Sequence, residues 1–219
     1  MTDVRFSKTG HVARIHLDRP AALNAITLAM DAALAAMWQE VNDDPEIRVV
    51  ALTAEGDRAF CAGADIKEPG RAASRTAVGG GITGIGGPLF EVRKPIVAGV
   101  QGLTLGAGFE LAMCADIIVA STDAEFALPE AAAGIIGECG VVHRAMRQLP
   151  YRVALAMVLT GERLSARDAL GFGLVNEIVE RGELAAGVER WCDRLLTASP
   201  LAVQALKAAA LSGLLIGAE

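Results

Sequence analysis

Aromatic residues are scarce in this chain. Phe, Trp and Tyr make up 4% of its 219 residues, so the core must be built chiefly from Ala, Val, Leu and Ile. Histidine is scarcer still: His11, His16 and His143 stand far apart, which argues against a metal site. The four cysteines, Cys61, Cys114, Cys139 and Cys192, form no CxxC pair. Three of them lie in apolar or Gly-rich stretches, where reduced, buried thiols are common. Positive charge is short: 20 Lys+Arg against 26 Asp+Glu leave a net charge of −6, and no basic block exceeds two residues. A nucleic-acid groove or an anionic membrane surface wants the opposite balance, although a local basic pocket for a phosphate stays open. No uncharged stretch is longer than Pro95–Phe109, which is too short and too Gly-rich to span a bilayer. Met1-Thr-Asp-Val-Arg-Phe has no basic start followed by an apolar run. No signal peptide is therefore expected, and the expected location is cytoplasmic. GxxxxGK[ST] and GxSxG are missing too, and with them the signatures of phosphate-loop and α/β-hydrolase chemistry.

What is present points to a well-packed chain. Hydrophobic residues reach 53% and charged residues 21%, which excludes intrinsic disorder. The length suits one large domain or two small ones. The 24 glycines predict several places where the backbone turns sharply or passes close to something.

Periodicity gives an α/β pattern. His11–Leu17 alternates as a half-buried strand. Thr27 is placed to cap a helix carrying Met30, Leu34, Met37 and Val41 on one stripe, stopped by Asp43-Asp44-Pro45. Val49–Thr53, Ile96–Val100 and Ile117–Ala120 read as buried parallel strands, with a helix over Gly106–Cys114 between the last two. After Pro129 the pattern is mostly helical: Val141–Leu149, Arg152–Leu159, Ala166–Phe172, Glu183–Thr197 and Leu201–Leu211, interrupted by a strand at Val175–Val179. Arg71–Gly87, with glycines at 79, 80, 81, 84, 86 and 87, reads as a mobile surface loop. It contains GxGxxG at Gly79–Gly84, but no strand precedes it, so a dinucleotide fingerprint is not supported.

Two stretches are more specific. Ala59–Glu68 places the small residues Ala62, Gly63 and Ala64 after a strand and before an expected helix, where a ligand can lie against backbone N–H groups. Gly102–Leu111 opens an apolar helix with small residues and sets one carboxylate, Glu110, in its first turn. Unpaired N–H groups at a helix start can hold a developing oxyanion. Glu110 also has a plainer reading as a charge complementing the helix, yet burying a carboxylate for that alone is costly. Glu130 follows Leu128-Pro129, and Glu138 sits in Gly134-Ile-Ile-Gly-Glu-Cys-Gly140. Carboxylates beside an amide-lined hole form a general acid/base set.

At these residues the chain resembles the crotonase superfamily, the enoyl-CoA hydratases and isomerases. The motifs are Arg19-Pro20…Asn24-Ala25, Phe60-Cys-Ala-Gly-Ala-Asp-Ile-Lys67, Lys94-Pro95…Gly102…Leu105-Gly-Ala-Gly-Phe-Glu110-Leu…Cys114-Ala-Asp116, Phe126-Ala-Leu-Pro-Glu130 and Leu159-Thr-Gly161…Gly173-Leu-Val-Asn176. They run from about Val4 to Leu211. The resemblance implies an α/β spiral of ββα turns over residues 1–196 and a helical C-terminal segment over 197–219, shorter than is usual for the family. It implies trimers, often paired as hexamers, and a place in fatty-acid and lipid metabolism. It also implies an acyl-CoA thioester substrate, with coenzyme A as part of that substrate and no separate cofactor.

By the same resemblance the oxyanion hole falls on the N–H groups of Ala64 and Ala107, which should lie about 4–5.5 Å apart to share one oxygen. The catalytic acids fall on Glu110 and Glu130, and the CoA contacts on backbone around Ala62, Ala64, Asp65 and Ile66. Three features depart from the family pattern. Ala107 replaces a glycine. Glu138 stands where hydratases have glycine and dienoyl-CoA isomerases have an acid. Ala21 and Ala22 occupy the place of a basic residue. The expected activity is enoyl-CoA hydration. Rival readings are a double-bond isomerase working through Glu130 and Glu138, an RNA-binding member, which the charge disfavours, and a catalytically silent member.

Overall fold

The computed structural model describes residues 3–68, 83–85, 91–136 and 140–215. Among the described residues, ten strands fall into two sheets. The larger sheet takes β1 (Val4–Thr9), β2 (Val12–Leu17), β3 (Val49–Ala54), β5 (Ile96–Val100), β7 (Ile117–Ser121) and β10 (Glu177–Val179) in that order. The smaller takes β4 (Ala59–Cys61), β6 (Leu103–Leu105), β8 (Glu125–Ala127) and β9 (Leu164–Ser165). β1 pairs antiparallel with β2 and β8 with β9; the other pairings are parallel.

The chain climbs as a spiral. β3 then β4, β5 then β6, and β7 then β8 each give one strand to the larger sheet and the next to the smaller. This is the α/β architecture expected from the sequence. The central strands are buried on both faces, as parallel strands covered by helices must be. Val50, Leu52, Ile96, Ala98, Ile118 and Ala120 face the main core. Their alternates Val49, Ala51, Val97 and Val119 meet Val188 and Cys192 of helix α6 (Leu184–Leu196) on the other side.

Helix α1 (Leu28–Asp43) starts where expected, with the Thr27 hydroxyl accepting from Met30 N–H. Its buried stripe is Met30, Leu34, Trp38 and Val41, with Met37 only partly buried. The reason is Trp38, whose indole N–H donates to the Thr83 carbonyl at 2.9 Å. A buried indole needs such an acceptor. Thr83 and Ile85 are themselves buried, which corrects the reading of that part of Arg71–Gly87 as an unpacked loop. The remainder of that stretch, with most of Gly79–Gly84, lies outside the described residues.

Helices α2 (Ala107–Met113), α3 (Val141–Gln148), α4 (Tyr151–Thr160), α5 (Ala166–Gly171) and α7 (Pro200–Leu215) complete the set. Three short elements escaped the periodicity: edge strand β1, with one buried residue, three-residue β6 and two-residue β9. Where a helix was expected after Asp65, the described residues form a turn closed by Glu68 N–H on the Asp65 carbonyl. Cys61 and Cys192 are buried and Cys114 is half-buried; burial pushes the Cys192 thiol up to about 12. Cys139 lies outside the described residues.

Candidate active site

Three neighbouring strands of the smaller sheet end at one edge. β4 leads into Ala62–Asp65, β6 into Gly106 and α2, and β8 into Leu128-Pro129-Glu130. Ligands in parallel α/β sheets collect outside such carboxyl ends.

The Ala62–Asp65 segment is held by a second stretch, Leu23–Ile26. Ala62 N–H donates to the Leu23 carbonyl at 3.0 Å, Ile26 N–H to the Gly63 carbonyl at 2.8 Å, and Asp65 N–H to the Ile26 carbonyl at 2.9 Å. Ile26 and Ala64 thus form a parallel bridge. In a parallel ladder the residue flanked in this way turns its own N–H to the opposite side. The segment lies close to the start of α2: a Cβ built on Gly63 would lie 3.6 Å from the Ala107 nitrogen. Among the described residues, neither the Ala64 nor the Ala107 N–H donates to a protein acceptor. Adjacent strands sit about 4.8 Å apart, a spacing at which two such N–H groups can share one oxygen.

The local backbone explains the small residues. Gly106 caps α2 at φ 52°, ψ −122°, a region closed to side chains. A Cβ on Gly108 would lie 2.1 Å from the Cys61 carbonyl oxygen, so α2 can rest on β4 only with glycine there. Ala107 is different. The non-glycine residues with positive φ, among those described, are Leu23 and Asn24, so Ala107 carries its Cβ without strain while its N–H stays available.

Both acids are tied to Gly106, Glu110 through its backbone and Glu130 through its side chain. Glu110 is 1% exposed, and its N–H donates to the Gly106 carbonyl at 2.9 Å. The Glu130 Oε1 atom sits where a Gly106 side chain would begin, 2.7 Å from the built Cβ. The Glu130 Oε2 atom is buried with no hydrogen-bond partner among the described residues. Burial pushes the Glu130 carboxyl above its ordinary range, as desolvation does for any carboxylate without a cation beside it. Phe109 on α2 and Phe126 on β8 pack with ring centroids 5.3 Å apart, fixing the helix that bears one acid against the strand that leads to the other. Ala62, Ala64 and Asp65 are partly buried beside this edge, and Ile66 is 83% exposed. Glu138 lies outside the described residues.

Comparison with known proteins settles the kinship. The enoyl-CoA hydratase/isomerase profile matches residues 7–214. The chain belongs to the enoyl-CoA hydratase/isomerase family. Within it, the chain is 40% identical over 200 residues to a carnitinyl-CoA dehydratase of Proteus mirabilis, covering 90% of this chain and 76% of that one. A solved structure from Novosphingobium aromaticivorans, provisionally described as a short chain enoyl-CoA hydratase, is 58% identical with a TM-score of 0.88 over 97% of this chain and 82% of that one. A carnitinyl-CoA hydratase from Mycobacterium avium is 38% identical with a TM-score of 0.89, covering 96% and 81%.

Two contributors to this site were visible in the sequence only as motif letters without a role. Asn24 is fully buried: its Oδ1 accepts from Arg19 N–H, and its Nδ2 donates to the Glu55 and Ala59 carbonyls. The Arg19 guanidinium donates to the Ala25 carbonyl and the Asp65 carboxylate. The signal that could have found them is the pair Arg19-Pro20…Asn24, a buried amide after a proline turn.

Proposed function

We propose that this family member hydrates a 2-enoyl-CoA thioester. The observation that carries the reading is the buried Glu130 carboxyl, of raised proton affinity, packed against Gly106 just before Ala107, whose N–H has no acceptor among the described residues. The thioester oxygen takes the place between Ala64 and Ala107. Glu110 removes a proton from water as its oxygen bonds to C3, and the π electrons move onto the thioester oxygen, where the two N–H groups hold the charge. Glu130, whose proton affinity its dry setting raises, delivers a proton to C2 as the enolate collapses. The two acids then restore their protons through solvent. Coenzyme A lies along the backbone of Ala62, Asp65 and Ile66 as part of the substrate, with no further cofactor.

The names of the relatives favour hydration or its reverse. The substrates to try are therefore crotonyl-CoA and dehydrated carnitinyl-CoA. In ¹⁸O-labelled water the product should carry the label at C3. Unlabelled, rearranged product from a 3,5-dienoyl-CoA, lost on Glu138→Gln, would show an isomerase instead.

The assembly is a homotrimer or a pair of them, in the cytoplasm. Helix α7 supports self-association. Leu201 and Leu206 are 78% and 70% exposed, and Lys207, its one charged residue, turns inward to Asp116. Light scattering showing a monomer at micromolar concentration would remove this part of the reading.

A further inference from the structure

The structure assigns to Arg19 the task of positioning one donor of the oxyanion hole; the assignment rests on the hydratase reading above. Ala64 does not belong to a regular strand, and on that side its bridge to Ile26 ties it to the larger fold. The direction of its N–H is therefore set by how Leu23–Ile26 and Ala62–Asp65 are held together.

Leu23 and Asn24 stand in succession at φ 55° and 54°. Side-chain-bearing residues avoid this left-handed region, and two in a row persist only where the surroundings over-determine them. The Asn24 side chain supplies part of that restraint, since all three of its hydrogen bonds go to backbone. They anchor the bend to the turn before it and to the approach to β4. They do not touch the Ala62–Asp65 segment itself.

Arg19 does. Its Nη1 donates to the Ala25 carbonyl at 3.1 Å and to Asp65 Oδ2 at 2.8 Å. One guanidinium thus joins both halves of the clamp, on either side of the Ile26–Ala64 bridge. Asp3 lies 3.4 Å from its Nε and completes its setting. The planar, fixed fork of arginine suits a bridge between two acceptors, and a lysine ammonium cannot reproduce its geometry. Asp65 is also tied to its own turn, with Lys67 N–H on Oδ1 at 3.0 Å. Pulling on the carboxylate therefore moves the backbone that carries Ala64. Arg19 touches no reacting atom in this arrangement; it acts on the thioester through the Ala64 N–H.

The test uses butyryl-CoA labelled with ¹³C at the thioester carbonyl, which has no double bond to hydrate, together with turnover of crotonyl-CoA. Two N–H groups on the carbonyl oxygen polarise it and lower its infrared stretching frequency on binding. In Arg19→Met the shift should shrink, and kcat should fall by about 10–10²-fold, below the 10²–10³ seen for outright loss of such a donor. Arg19→Lys should recover part of both. Should Arg19→Met fail to fold, Asp65→Asn, which keeps the side-chain volume and removes the charge, carries the same measurement. A variant that melts lower but keeps the wild-type carbonyl shift and kcat would overturn the assignment and leave Arg19 a purely structural residue. A wild type that shifts the carbonyl but turns over neither crotonyl-CoA nor dehydrated carnitinyl-CoA would sink the hydratase reading alone, with Arg19 still judged by the shift. No shift in the wild type would overturn both.

Discussion

Replacing Gly106 by alanine probes the point at which the proposed acid and the proposed oxyanion hole meet. Two effects are expected, and they can be separated. The first is local: φ 52° with ψ −122° is a conformation that a side chain resists by about 2 kcal/mol. For a domain near 200 residues, that lowers Tm by about 4–8 °C. The second is chemical. The new Cβ would lie 2.7 Å from Glu130 Oε1, where ordinary contact begins at 3.4 Å, so the carboxyl must retreat by about 0.7 Å. A misplacement of that order at a reacting group costs up to about 10²-fold in rate, so kcat for crotonyl-CoA should fall by about 10–10²-fold. Gly10→Ala is the control: φ is similar at +57° and nothing lies within 4 Å of its built Cβ. It should lose stability and keep its kcat. Pairing Gly106→Ala with Glu130→Asp, one methylene shorter, should cost less than the two changes predict separately. Equal kcat in the Gly106 and Gly10 variants, measured by the loss of enone absorbance, would refute the view that Gly106 makes room for Glu130.

Glu110→Gln and Glu130→Gln should each lower kcat by about 10²–10⁴, with C3 labelling from ¹⁸O-water reporting the residual hydration. Gly108→Ala should destabilise by about 3 kcal/mol or more, seen as a lost or greatly lowered melting transition, because its Cβ meets backbone at 2.1 Å rather than a side chain that can swing away. Glu130→Gln should also change the pH dependence of stability. Between the ordinary 4.5 and the raised value in the fold, the native state holds a proton that the unfolded chain has released. Wild-type stability therefore falls as pH rises through that window and then levels. The glutamine variant should melt higher than wild type at pH 7, and the gap should close below about pH 4.5.

How much of this was legible beforehand depended on whether the cause was local. The Thr27 cap, the α1 stripe and the double-sided Val/Ile strands are written in neighbouring residues, and each stands within a residue or two of where periodicity put it. Trp38 displaced Met37 because its indole found Thr83, 45 residues away, and no period reports that. β6 is three residues long, too short to show alternation, yet its pairing with β8 decides that Glu130 overlies Gly106. The candidate site residues could be picked out through motifs. The clamp around Ala64 could not, because Asn24 and Arg19 act through carbonyls up to 35 residues away and a carboxylate 46 away.

Parallel strands keep their spacing of about 4.8 Å whatever chain joins one to the next. Ala64, Ala107 and Glu130 follow three such strands, so their mutual distances are inherited from backbone pairing and not from the connections. A lineage built on this plan can lengthen, shorten or rewrite the linking segments, and with them the range of acyl groups admitted, while these three residues stay in place. Divergence should accordingly gather in the connections and leave the strand ends nearly invariant. Grafting a connection from one relative into another should transfer substrate preference with the reaction type unchanged.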